Sequence, residues 1–202
     1  KLFQQQLDFY KSNLKSSSDE YLTALKTIPL GAHSTFQSFD PYPISIKSAK
    51  GAWMVDVDGR KMLDLSMGFG SMLVGHLNPL VMAELKATLD IGTLYTAPSP
   101  DSRDAAERLC RRFGIDQIRF TNSGTESTMY AVRTARAYTG KEGVVKVEGG
   151  YHGSGDALMV STKPSLDKAG PEDAPNSVIG NASVPGLSYV VPYNNAEALV
   201  RV

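Results

Sequence analysis

The chain has 202 residues, 42% hydrophobic and 21% charged, which supports a sizeable core in an ordinary globular protein. Its 21 Lys and Arg balance 21 Asp and Glu, and no basic block interrupts that balance, so a nucleic-acid or membrane-surface role is disfavoured. A single cysteine, Cys110, excludes an internal disulfide and suits a reducing cytoplasm; no apolar run has membrane-spanning length, and with Lys1 as first residue a start trimmed or left out is expected.

From Leu2 to Lys26, apolar residues recur at near-helical spacing and are interrupted by Ser16-Ser-Ser-Asp19, so two helices with a Ser/Asp cap between them are expected. Ile44 to Ile46 and Trp53 to Leu65 alternate like strands, and Asp58-Gly59 is a hairpin signal, giving a small antiparallel piece. Asn78-Pro79 caps a helix with Val81, Leu85 and Leu89 on one face and Gly92 at its end. A further helix spans about Ser102 to Phe113 and stops at Gly114. Cys110 lies in it, where a buried structural thiol is expected.

The next stretch, Ile118-Arg-Phe-Thr-Asn-Ser-Gly-Thr-Glu126, reads as a short strand feeding a turn that opens a helix to Gly140. Free backbone N–H groups, two hydroxyls and the positive end of a helix dipole meet there, an arrangement that binds phosphate. Ser123-Gly-Thr-Glu126 also fits a capping box, which satisfies the same donors with no ligand, and that role accounts for Glu126 as a structural residue. The turn lacks the Gly-x-x-x-x-Gly-Lys spacing of a nucleotide P-loop.

A second loop favours the ligand. Gly143 to Val147 reads as a strand running into Glu148-Gly-Gly-Tyr-His-Gly-Ser-Gly155, four glycines around an aromatic pair. Strands joined by a helix of this length are expected to lie parallel in one sheet, with both loops at its carboxyl edge. A phosphate cradle beside Tyr151 and His152 suggests a flat, phosphorylated aromatic ligand. Residues 161–186, rich in Pro, Gly, Ser, Asn and Asp, have no periodicity; they read as a lid or an exposed insertion. His33, His76 and His152 are not at metal-ligand spacing. Tyr193 to Val202 looks like a helix starting after a strand.

The Asn122-Ser-Gly-Thr-Glu126 turn, the Ala131 to Gly140 helix end and the Glu148-Gly-Gly-Tyr-His-Gly153 loop together resemble the class III pyridoxal-phosphate-dependent aminotransferases, most of all the glutamate-1-semialdehyde 2,1-aminomutase branch. Gly51 to Gly59, Leu63-Asp-Leu65 and Gly75-His-Leu-Asn-Pro79 extend the likeness. It implies an α/β chain of the fold type I PLP-transferase architecture. Residues 1–75 would form N-terminal helices and a small antiparallel piece, and residues 76–202 the first part of a large, mostly parallel-sheet domain. The implied cofactor is pyridoxal 5'-phosphate (PLP), with Ser123, Gly124 and Thr125 on its phosphate, Tyr151 stacked on its ring and His152 beside it. A homodimer is also implied, with Thr93 to Pro98 as an interface segment, and a loop in the place of 161–186 gates the site in this family.

On the substrate side, Ser34 and Phe69 fall where the aminomutase branch keeps a serine and an aromatic residue. Gln37 stands where that branch usually has an arginine, and a glutamine supplies no charge to grip a carboxylate, unless the alignment slips locally over residues 35–40. In the family the Schiff-base lysine and the aspartate pairing with the pyridine nitrogen lie well beyond the Tyr-His loop, so no residue here is assigned as catalytic and the lysine is expected beyond Val202. Lys146, in a predicted strand, and Lys163 and Lys168, in the irregular segment, are not substitutes. Three readings follow: the N-terminal part of an aminotransferase acting on an amino donor and a carbonyl acceptor, part of an aminomutase, or a cofactor-binding relic without catalysis.

Overall fold

A computed structural model describes residues 1–179 and 187–202. The chain divides into two compact units, Lys1–Pro98 and Ser99–Val202. The boundary expected after residue 75 therefore falls inside the first unit, and the helix that Asn78 opens belongs to that unit.

In the first unit, helices α1 (Leu2–Asn13) and α2 (Lys15–Ala24) meet at Leu14, which is fully buried and leaves helical geometry (φ −123°, ψ 45°). The two helices are as expected, but the cap is not the local Ser/Asp run, which lies inside α2. Instead Asp58, from a turn 42 residues away, accepts the N–H groups of Ser16 (2.8 Å) and Ser17 (3.1 Å) and the Ser17 hydroxyl (3.0 Å). A carboxylate at a helix N-terminus takes orphan donors and complements the dipole. Burial pushes the Asp58 carboxyl up, but these hydrogen bonds outweigh it and hold it below the usual carboxylate range. Tyr42 packs between Tyr10 and Tyr21, with ring centroids at 5.4 and 6.3 Å, and with Leu14 it forms the buried centre beside these helices.

Strands β1 (Ile46–Lys50), β2 (Trp53–Asp56) and β3 (Lys61–Leu63) form the antiparallel sheet in sequential order. The first strand begins later than the alternation suggested, because its ladder with β2 starts at Ile46↔Asp56. Between β2 and β3, Gly59 takes φ 84°, the left-handed turn position that Asp58-Gly59 signalled. Helix α3 (Pro79–Leu89) is capped by Asn78, whose side chain accepts from the N–H groups of Leu80 and Val81.

In the second unit, α4 (Pro100–Phe113) opens at Ser99 and ends at left-handed Gly114, and α5 (Gly124–Thr139) opens at Ser123 and ends at left-handed Gly140. Strands β4 (Val144–Val147) and β5 (Ser188–Val191) pair in parallel, and helix α6 (Ala196–Arg201) follows them. Leu158, Val160, Val190, Val191 and Ala198 are the buried apolar residues around this pair.

The strand expected at Ile118 does not form: residues 118–120 have no ladder partner among the described residues, and β4 pairs with β5 instead. Extended backbone becomes a strand only when a neighbour takes its N–H and C=O groups. The exposed segment and the flank of α5 leave an open groove of about 920 Å³ lined by Phe120, Tyr130, Ala131 and Tyr138. Residues 161–179 are irregular, as expected, but they are held by turns. Ser161 N–H donates to Val178 O (2.7 Å), and the Ser161 hydroxyl donates to Asn176 O (2.9 Å) and accepts from Val178 N–H (2.9 Å). The remainder of the expected lid, 180–186, lies outside the described residues. No described helix is long and apolar enough to cross a membrane.

Candidate functional site

The phosphate-cradle candidate is the start of α5. Ser123, with extended backbone (φ −152°, ψ 161°), accepts the Glu126 N–H on its hydroxyl at 3.2 Å. Glu126 returns a bond at 2.6 Å, but from the N–H of Asn122 rather than of Ser123, so the capping box is displaced by one residue. A capping box engages only the amides of the cap residue and of the third helical residue, so the first two helical donors stay outside it in either form. Among the described residues, the N–H groups of Gly124 and Thr125 have no hydrogen-bond acceptor. A side chain built on Gly124 would meet nothing within 4 Å, so there is open space beside this turn. The 920 Å³ groove is a separate feature, since none of Ser123, Gly124 and Thr125 lines it.

The glycine-rich loop docks directly onto this turn. Thr125 accepts the Ser154 N–H on Oγ1 at 3.1 Å, and the Thr128 hydroxyl donates to His152 O at 2.8 Å. Between these contacts Gly153 takes φ 87°, and a Cβ there would lie 2.7 Å from both Cα and Oγ1 of Thr125. Only glycine permits this approach. Thr125 keeps its hydroxyl hydrogen while its oxygen accepts, so it can still donate to an anion.

Tyr151 and His152 sit on that docked loop, both at the surface, Tyr151 being 52% exposed. The His152 ring folds back over Gly150, where a Cβ would lie 2.8 Å from Nε2. At the loop's root, both carboxylate oxygens of Glu148 are buried without a hydrogen-bond partner among the described residues. Burial pushes the Glu148 carboxyl up, against the pull of the Lys146 ammonium and of the Gly149 amide, whose own hydrogen bond goes to Ser161 O (3.0 Å). The structure thus brings Ser123, Gly124, Thr125 and His152 into one hydrogen-bonded constellation and carries Tyr151 on the same loop. Sequence reasoning missed Thr128, Gly153 and Ser154 as its fasteners. The glycine density around Tyr-His was the available signal for Gly153; the other contacts are non-local.

The substrate-side candidates lie in the first unit. Ser34 caps a single 3₁₀ turn, Thr35–Gln37, by accepting the Phe36 N–H at 3.2 Å, and Gln37 is exposed at its end. Phe36, which the sequence did not single out, meets Phe69 edge-on, with centroids 6.1 Å apart and planes at 68°. Phe69 is 80% exposed and has φ 56°, within a left-handed run of Met67 (46°), Gly68 (61°), Phe69 and Gly70 (87°). A bulky residue in that conformation is strained, and such strain gathers at functional sites. Asp64 secures the segment: its Oδ1 accepts the N–H groups of Ser66 (2.9 Å) and Met67 (2.8 Å), and its Oδ2 lies 2.7 Å from His76 Nε2. The His76 hydrogen bond, then the Met67 amide, hold the Asp64 carboxyl below the usual range against its burial. Among the described residues, no cluster of three or more His, Cys, Asp or Glu could hold a metal ion.

The comparisons with known proteins bear on the family and the fold. The chain matches the family described as "Aminotransferase class-III" over residues 36–198 and belongs to that family. It is 39% identical over 184 residues to a glutamate-1-semialdehyde 2,1-aminomutase of Methanocorpusculum labreanum, covering 90% of this chain and 44% of that protein. An omega-transaminase from Sphaerobacter thermophilus superposes with a TM-score of 0.88 at 32% identity, covering 95% of this chain and 45% of the other. A transaminase with PLP bound superposes at 0.83 and 31%, covering 93% and 44%. The fold is that of part of a type I PLP-dependent transferase, and the chain spans less than half the length of these relatives.

Proposed function

We propose that the protein is a PLP-dependent aminotransferase that moves an amino group between an amine or amino acid and a carbonyl compound. The observation that carries this reading is the pair of amides, Gly124 and Thr125, unpartnered among the described residues, at the helix start onto which the Tyr151-His152 loop is bolted. These groups fit the cofactor. Two free N–H groups, two hydroxyls and a helix dipole suit a phosphate, and the exposed Tyr151 ring suits the face of a pyridine. When bound, PLP supplies the electron sink that amino-group transfer requires.

Each of the candidate site residues then has a task. Gly124 and Thr125 donate to phosphate oxygens, and Ser123 adds its hydroxyl hydrogen while its oxygen still caps α5. Tyr151 presents its ring to the cofactor face and His152 flanks it. Phe69, braced by Phe36, and Ser34 and Gln37 meet the substrate. The lysine that would carry the cofactor is assigned to no residue of these 202.

The relatives named as aminomutases favour a second reading, isomerisation of glutamate-1-semialdehyde by the same cofactor. Gln37 favours the first, because a neutral amide grips a substrate carboxylate less firmly than an arginine fork.

Cofactor titration of the intact protein tests the cradle. Ser123→Ala and Thr125→Val should each weaken PLP binding by about 1.5–3 kcal/mol, the worth of a hydrogen bond to a charged group. Unchanged affinity in both variants would remove the cradle. Assays with and without an added keto acceptor separate the two activities: efficient turnover of glutamate-1-semialdehyde with no acceptor would establish the aminomutase instead.

A further inference from the structure

Among the described residues, Lys146 is the buried cation of the second unit. It is 4% exposed, and its ammonium donates to Gly150 O (2.7 Å), Leu158 O (3.1 Å) and Val160 O (2.5 Å). An ammonium has three hydrogens, and three carbonyls receive them. None of these carbonyls accepts a backbone N–H among the described residues. Thr162 Oγ1 stands 3.3 Å from Nζ and 3.5 Å from Gly150 O, closing the cage. No carboxylate lies within ion-pair distance of Nζ among the described residues.

The three carbonyls come from both stems of one loop. Gly150 immediately precedes Tyr151, while Leu158 and Val160 lie on the returning segment. Burying an ammonium is costly, and an apolar side chain would fill a strand position more cheaply. Burial accordingly pushes the Lys146 pKa down, with Glu148 opposing it. What only the cation provides is a fan of donors that draws the two stems together. The tip of the loop is fastened to α5 through Thr125 and Thr128, so Lys146 is the fastener at its root.

We propose that Lys146 is a positioning residue: by clamping Gly150, Leu158 and Val160 it fixes the stems of the loop that presents Tyr151 and His152 to the cofactor. The inference rests on the PLP reading for its consequence, while the clamp itself is independent of it.

The test uses the intact protein as wild type, Lys146→Met, Lys146→Arg and Thr162→Val, each studied well below its melting temperature. Hydrogen exchange followed by mass spectrometry reads the clamp, and PLP affinity with visible circular dichroism per bound cofactor reads its consequence. In Lys146→Met, exchange should quicken within 149–160 ahead of the rest of the chain. PLP should bind roughly tenfold or more weakly, with a smaller dichroic signal per cofactor. Lys146→Arg should recover part of both, and Thr162→Val should show the same pattern at smaller size. If Lys146→Met does not fold, Lys146→Arg and Thr162→Val carry the same comparison. A lower melting temperature with unchanged PLP affinity and dichroism would make Lys146 a support of the fold only and overturn the proposal. If wild type binds no PLP, the cofactor reading fails on its own, and unchanged exchange within 149–160 would overturn the clamp separately.

Discussion

Two aromatic-bearing loops of this chain are secured by opposite chemistry. In the second unit a buried cation, Lys146, gathers carbonyls beneath Tyr151 and His152. In the first a buried anion, Asp64, gathers two amides and His76 beside Phe69. The anion takes N–H groups two and three residues along the chain, so it bends the backbone locally and leaves a strained left-handed run. The cation takes C=O groups up to 14 residues away, so it sets the separation of two stems. One device shapes a turn; the other spaces a loop.

The contrast is sharpest at Gly153. An alanine there must adopt φ 87° and place its Cβ 2.7 Å from the Thr125 backbone, which cannot yield as a flexible side chain would. Left-handed strain of about 1–2 kcal/mol adds to overpacking of about 1–3 kcal/mol. Gly153→Ala should therefore lower stability by about 2–5 kcal/mol or, where the loop lifts instead, abolish PLP retention at smaller thermodynamic cost. Chemical denaturation paired with cofactor titration distinguishes the two, and a variant unchanged in both would show that the loop is not seated on α5.

At Asp64 the expected effect is smaller and depends on pH. Its folded-state pKa lies below the ordinary 3.8, so its stabilisation is fully present above that value and is lost as pH falls through the lowered one. Asp64→Asn should be less stable than wild type at neutral pH, and the difference should shrink towards zero as the wild-type carboxyl protonates. A gap that persists undiminished into strong acid would show that the carboxylate charge is not what holds Ser66, Met67 and His76.

The same distinction between local and distant partners decides what could be read before the fold. Caps formed within three residues were legible: Asn78 opens α3, Ser123 opens α5, and Gly114 and Gly140 end their helices where left-handed backbone was needed. The Ser-Gly-Thr turn and the Tyr-His loop were legible as a pair because residue type and spacing carry that chemistry. What joins them was not. Thr128 reaches His152 across 24 residues and Asp58 caps α2 across 41 or more, and no periodicity encodes such a contact. Ile118 to Phe120 has the composition of a strand, but pairing belongs to the neighbour and not to the segment. Lys146 sits at an ordinary strand position, where a lysine reads as solvated until the carbonyls around it are known.

Phe69 offers the smallest change and the finest test of the strained turn. Replacing it with glycine relieves left-handed strain of about 1–2 kcal/mol. Against that stand the edge-on contact with Phe36, worth about 0.5–1.5 kcal/mol, and the added backbone entropy of glycine, about 0.5–1 kcal/mol. These nearly cancel, and an 80% exposed ring loses little burial when removed. Phe69→Gly should therefore leave stability within about 1 kcal/mol of wild type while, on the proposed substrate-side role of the ring, raising the substrate KM. Urea denaturation alongside steady-state kinetics checks both halves. A large loss of stability would mean that the ring is packed rather than presented, and an unchanged KM would remove Phe69 from the substrate side.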